Sequence, residues 1–340
     1  MHAGRHFSLK EVFFWTLGDT AKITVIATLA VGLVHWLKVP MLPWAPIGLV
    51  GTAVAFLTGF KGNASYNRLW EARQIWGGIV NSSRAWGIAA LHLLVSGETE
   101  GEGRSPITTA SRDVTVRLVK RHLAWLTALR FQLREARAWE SIQQKSNAAY
   151  RDRTYSVVEL TGTVDAELRR LLSSEECEEV LSKKNRAAQI LALQSRDIHA
   201  LVSAGLVSEH RQLEIFRQIA TLVDLQGKCE RIKNFPYPRQ FATMNLIFIW
   251  MFIVLLPFGM VFEFQKLGRF ELLAIPATAI VGWVFHTMDK VGEVSSNPFE
   301  GGANDVPITA MSRAIEIDLL EMIGEKEIPT AIAADHNILM

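Results

Sequence analysis

The sequence predicts an all-α membrane protein: four transmembrane helices joined to a large cytosolic helical body. Three observations carry that reading. Residues 39–60 contain no Asp, Glu, Lys or Arg, and residues 240–262 contain none either. Each run is long enough as a helix to cross a hydrocarbon layer of about 30 Å. Two shorter apolar runs accompany them: 23–37, flanked by Lys22 and Lys38, and 272–288, interrupted by Pro276 and His286. Lysines at helix ends reach the headgroups, so a short run still serves as a span. Between the two pairs lies a block of roughly 180 residues whose apolar positions recur at helical spacing, with almost no strand signal.

In chain order, residues 1–60 hold an amphipathic piece, 8–17, and the first two spans. Arg5, His6 and Lys10 precede an apolar run, as in a secretory leader. The intervening amphipathic piece, Asp19 and the second span argue for a retained helix instead. Residues 61–240 form the cytosolic helical domain. There 61–95 continues the second span, and 96–106 (SGETEGEGRSP) is a loop without periodicity. A helix over 107–140 follows, and the Ser173-Ser174-Glu175-Glu176 sequence opens another as a capping box. A helix over 208–232 is expected to bury Leu213, Phe216, Ile219, Ala220, Val223 and Cys229. The NFPYP stretch at 234–238 ends it. Residues 241–289 hold the third and fourth spans. Residues 290–324 contain a turn and an amphipathic helix over 308–323, with Ile308, Met311, Ile315, Leu319 and Met322 on one face and Gly324 as its stop. The final stretch, 325–340, is expected to be a frayed, flexible tail.

Four spans put both termini on one side. That side carries Lys61, Arg68, Arg73, Arg84, Lys228, Arg231, Lys233 and Arg239, against Lys38, Lys266 and Arg269 opposite. The positive-inside bias assigns the termini and the middle block to the cytoplasm of a cell (inner) membrane protein. Cys177 and Cys229 are the only cysteines and lack CxxC spacing, which argues against a disulfide scaffold or structural zinc. The nine histidines form no HExxH or HxH pattern, Gly227-Lys228 lacks the rest of a phosphate loop, and no GxSxG elbow occurs. The chain therefore offers no catalytic constellation, metal set or cofactor motif. A net charge of +2 gives no basis for nucleic-acid binding.

The second span carries two stripes four residues apart. Thr52, Phe56 and Phe60 form one; Gly51, Ala55 and Gly59 form the other, rotated by about 100°. Small residues at this spacing let another helix approach closely. The segment alone leaves two readings open: packing within one subunit, with the rings filling gaps or facing lipid, or a symmetric ring in which one helix per subunit lines the axis. The helix continues into polar surroundings through Asn63, Ser65, Asn67 and Arg68, which favours the ring. Stacked apolar collars would then obstruct ions by excluding water.

The run Gly59-Phe60-Lys61, Tyr66-Asn67-Arg68, Trp70-Glu71-Ala72-Arg73, Trp76-Gly77 and Asn81-Ser82-Ser83-Arg84 resembles the bestrophin family. So do Gly227, Cys229-Glu230-Arg231, Pro236, Pro238 and Leu255-Leu256-Pro257-Phe258. The tail adds Gly292-Glu293, Asn297-Pro298-Phe299, Asn304-Asp305-Val306-Pro307 and Arg313-Ala314-Ile315-Glu316. These blocks keep their order from about Arg5 to Gly324.

The resemblance implies a pentameric ring around a single pore that passes monovalent ions in a lipid membrane. Ion sign stays open between anions and, as in some bacterial members, cations. The neck positions it implies are Thr52, Phe56 and Phe60, with Thr52 standing where an aliphatic residue is usual. A cytosolic aperture is placed near Leu213 by spacing back from Cys229. Animal members bind calcium just after the Asn-Pro-Phe motif. Here NPFEGGAND keeps Asn297 and Asp305 but has glycines and Ala303 at intervening acidic positions, too few carboxylates for high-affinity calcium. Arg68, Glu71 and Arg73 face the pore or form interhelical ion pairs, the second being favoured; Asn297, Pro298 and Phe299 are expected to anchor their loop. The competing reading is a membrane-anchored scaffold or sensor that binds a cytosolic partner through 107–232.

Overall fold

The computed structural model describes residues 1–92, 109–268 and 270–340. The loop expected at 96–106 lies outside them. Among the described residues there are twelve α-helices and isolated bridges but no strand ladder, so the chain is nearly all-helical.

Helix α1 runs over Leu9–Leu37. Ser8 and Glu11 cap each other reciprocally, so the amphipathic piece and the first span form one helix. It ends where Lys38 turns left-handed (φ 53°) ahead of Pro40. Helix α2, Trp44–His92, is 49 residues and about 74 Å long, twice what a bilayer requires. One of its ends packs in the apolar layer and the other in a second helical body. Its buried positions in the first half are Ile47, Gly51, Val54, Thr58, Lys61 and Ser65, a 4-3-4-3-4 spacing that keeps one face inward.

The membrane layer comprises α1, the first half of α2, α10 (Arg239–Gln265) and α11 (Ala274–Val294). All four chain segments are long and apolar enough to cross a bilayer, and the chain is a membrane protein. Ile23, Ile47, Val54, Ile249, Phe252, Ile253 and Leu256 form the core of that layer. A separate core gathers Trp76, Ile79 and Trp86 of α2 with α3 (Thr109–Arg134), α8 (Arg186–Ser203), α9 (Glu209–Asn234) and α12 (Ile308–Met322). Short helices α4 (Lys145–Thr154), α5 (Val158–Thr161), α6 (Val164–Leu168) and α7 (Ser174–Leu181) connect them, and Ser173 caps α7 with Glu176 as the sequence predicts. The NFPYP stretch separates α9 from α10. Gly324, with φ 69°, follows α12, whose predicted apolar face does turn inward.

Two expectations are corrected. Helix α9 buries Ile215, Ile219, Leu222, Gln226 and Cys229, while Leu213, Phe216, Ala220 and Val223 are exposed. Ile219 and Cys229 are buried as expected, but the other four expected positions face out and Ile215, Leu222 and Gln226 complete the inward face instead. The tail 325–340 does not hang free. Its end pairs with the N-terminal residues, the Leu339 N–H donating to the Met1 carbonyl at 2.8 Å. Ile338 and Met340 bury against Tyr155, Val157 and Ala303, which supplies an apolar reason for the tail to dock.

Candidate functional site

The face of α2 opposite its packed side is uncovered by the rest of the chain. Phe56 is 68% exposed and Phe60 59%, and Thr52 is exposed with them. The two rings meet edge to face, centroids 4.8 Å apart and planes at 86°. Thr52 Oγ1 donates back to the Gly48 carbonyl at 2.9 Å, so its hydroxyl is already satisfied along the helix. The rings therefore fill no gap inside the subunit. The small-residue stripe is divided. A Cβ on Gly51 would come within 2.7 Å of the Phe252 ring on α10, whereas one on Gly59 would meet nothing within 4 Å. Part of the stripe thus serves packing within the chain and part faces outward.

The exposed strip continues down α2 through Asn63, Tyr66, Asn67, Trp70 and Arg73, with the Tyr66 and Trp70 rings stacked at 6.4 Å. A polar and aromatic strip below an apolar one suits a helix that leaves a bilayer for water. Leu213 is 55% exposed in the first turns of α9, beside exposed Phe216.

The charged residues of the α2 motif divide by environment. Arg68 donates to three carbonyls: Nε to Ser296 at 2.8 Å, Nη1 to Phe235 at 2.8 Å and Nη2 to Ile232 at 2.9 Å. One guanidinium thus caps the end of α9 and ties it to the segment after α11. Glu71 accepts from Arg231 of α9. Arg73 is exposed. Sequence reasoning counted Lys61 as an ordinary cytosolic charge, but it is buried and paired: its Nζ donates to Asp289 Oδ1 of α11 at 2.7 Å. Asn245 Nδ2 of α10 donates to the same oxygen at 2.7 Å, and Thr58 Oγ1 donates to Asn245 Oδ1 at 3.4 Å. The available signal was opposite charge at the inner ends of two neighbouring spans, since charges there are usually paired.

The Asn-Pro-Phe loop is a packed corner. Phe299 is buried, the Val306 N–H donates to the Pro298 carbonyl at 3.1 Å, and Gly301 takes φ 97°. Asp305 Oδ2 accepts from the Gly301 and Gly302 N–H groups at 2.7 and 3.0 Å and from Arg134 Nη1 at 3.4 Å. Glu300 accepts from the Ser141 N–H at 2.8 Å, Ser141 Oγ at 2.6 Å and Asn297 Nδ2 at 3.4 Å. Burial pushes the Glu300 carboxyl up to about 8, and Asp305 beside it adds to that. Burial likewise raises Asp305 to about 6, against the pull of Arg134 and the two N–H groups. These carboxylates are committed to protein donors, and among the described residues no three His, Cys, Asp or Glu gather as a metal set.

Known proteins share this architecture. The voltage-dependent anion channel-forming protein YneE of Escherichia coli is 26% identical over 341 residues, covering 97% of this chain and 96% of that one. A voltage-dependent anion channel-forming protein of Ralstonia nicotianae is 28% identical over 307 residues, covering 90% and 86%. The crystal structure of a bacterial bestrophin homologue from Klebsiella pneumoniae superposes with a TM-score of 0.72 at 26% identity, covering 93% of this chain and 99% of that one. The family model for bacterial and fungal bestrophins matches residues 10–321. The chain thus belongs to the bacterial and fungal bestrophins, a family of ion channels and not of enzymes.

Proposed function

We propose that the chain is one subunit of a homo-oligomeric, passive anion channel, a pentamer in the cell (inner) membrane with both termini in the cytoplasm. The observation that carries this reading is the uncovered aromatic face of a membrane helix whose other side is fully packed. Thr52, Phe56 and Phe60 recur about 6 Å apart along the helix axis. Repeated around a symmetry axis they make three collars, a hydrophobic neck through which water and monovalent ions pass only when it is wetted. Leu213 contributes a second, cytosolic ring. The names of the relatives support anions as the permeating species. Lipid is the partner of the remaining apolar exterior, which includes exposed Val25, Leu29, Trp36 and Ile280.

The test is planar-bilayer recording of the purified, assembled protein in asymmetric salt. Unitary currents that reverse near the chloride equilibrium potential support an anion channel; reversal near the cation potential assigns the opposite selectivity. Silence in assembled protein overturns the channel reading and favours the scaffold.

A further inference from the structure

We propose that Lys61 and Asp289, held by Asn245, are positioning residues that fix the rotation of α2 so that Phe56 and Phe60 face the conduction path. This rests on the channel reading above. Lys61 directly follows Phe60, so the two side chains leave the helix about 100° apart. Any restraint on one sets the azimuth of the other.

The restraint is well built. Lys61 and Asp289 are 4% and 2% exposed, Asn245 is equally buried, and the donors come from two different helices. Close helix approach makes the reach short: a Cβ on Gly292 would lie 3.6 Å from the Gly62 Cα. Gly292 sits one turn beyond Asp289 on the same face of α11.

Such a restraint has something to oppose. Two apolar grooves flank α2, one of about 510 Å³ against α11 and one of about 570 Å³ against α10. Gly59, Gly62, Val284 and Met288 line the first; Leu57, Phe60, Phe241 and Met244 line the second. Phe60, though 59% exposed, already stands at the edge of the second groove, and a further roll that way would bury its ring there. The opposite roll would carry the rings toward the first groove, and apolar burial favours both. Either roll would pull the Lys61 ammonium off Asp289 and leave two charges unpaired in an apolar layer, which opposes it strongly. The buried pair therefore holds the rings in the exposed orientation that packing alone would not select.

Thiol accessibility reads helix rotation directly. Full-length protein in liposomes carries Phe56→Cys or Val54→Cys, and a small water-soluble methanethiosulfonate reports the modification rate. Position 54 is buried and points about 200° away from position 56. Native Cys177 and Cys229 are buried and form the background. In the otherwise unchanged protein the thiol at 56 reacts fast and the one at 54 slowly. Lys61→Met combined with Asp289→Leu removes both charges and leaves neither unpaired, so the fold is kept. In that background the rate at 56 is expected to fall about tenfold, equivalent to ~1.4 kcal/mol of lost orientational preference, and the rate at 54 to rise. The exchange Lys61→Asp with Asp289→Lys restores the original rates. Unchanged rates in the double-neutral variant, or no recovery in the exchanged one, overturn the proposal while leaving the channel reading intact. A thiol at 56 that is inert in the unchanged background instead overturns the neck reading, and this proposal with it.

Discussion

Truncating Phe56 to Ala is expected to raise unitary conductance several-fold while leaving assembly and fold stability almost unchanged. The stability side follows from what the ring touches. It is mostly exposed, and its ring contact is the edge-to-face pair with Phe60 at 4.8 Å. Such a pair contributes about 0.5–1.5 kcal/mol, whereas emptying a buried Phe site costs about 3–5 kcal/mol. A loss near 1 kcal/mol is therefore expected. The conductance side follows from spacing. Removing the middle collar leaves about 12 Å between the levels of Thr52 and Phe60, where water is no longer pinched out. Lowering the barrier by only ~1 kcal/mol raises ion flux about fivefold. Single-channel recording gives the flux, and thermal unfolding with size-exclusion chromatography gives stability and assembly. Unchanged conductance in assembled protein refutes the neck assignment. A stability loss of core size refutes the claim that the ring is free of packing duty.

Other consequences are equally specific. Arg68→Met removes three hydrogen bonds from a charged donor and strands the part-buried Ile232 and Ser296 carbonyls. It should lower stability by about 3 kcal/mol, measured by thermal unfolding; a wild-type midpoint contradicts the capping role. Glu300 binds its proton more tightly folded, at about 8, than at its ordinary 4.5, so between those values the folded state holds more protons and stability falls as pH rises. Glu300→Gln should flatten the decline of the unfolding midpoint across that window; parallel curves for the two proteins contradict it. Isothermal titration should detect no sub-micromolar calcium binding, because the Glu300 and Asp305 carboxylates are already taken by Ser141, Gly301, Gly302 and Arg134. Tight binding there would show that the loop opens to chelate.

The legible parts of this chain were those decided by local pattern. Charge-free runs gave the spans, the Ser173 capping box and the NFPYP break gave helix ends, and the spacing of Ile308, Ile315 and Leu319 gave the inward face of α12. The face of α9 was misread because its sequence carries two apolar stripes. Ile215, Ile219 and Leu222 point inward, while Leu213, Phe216 and Val223 point out, and period alone cannot rank them. Lys61 was misjudged for a related reason. A lysine after a span is ordinarily a headgroup anchor, and its burial depends on Asp289, which lies 228 residues away in sequence. The docked tail was hidden too, because its anchor is only Ile338 and Met340, too short a pattern to carry a period. At the candidate site, sequence identified the aromatic stripe, whereas which side of α2 stays uncovered depends on how α10 and α11 pack against it.

The most direct test is a density map of the assembled protein in lipid or detergent. The rings at 56 and 60 from every copy should surround one continuous hole along the symmetry line, with Lys61 turned away toward Asp289. A map in which those rings lie against lipid or wedge between neighbouring helices, with no passage at the centre, contradicts the account.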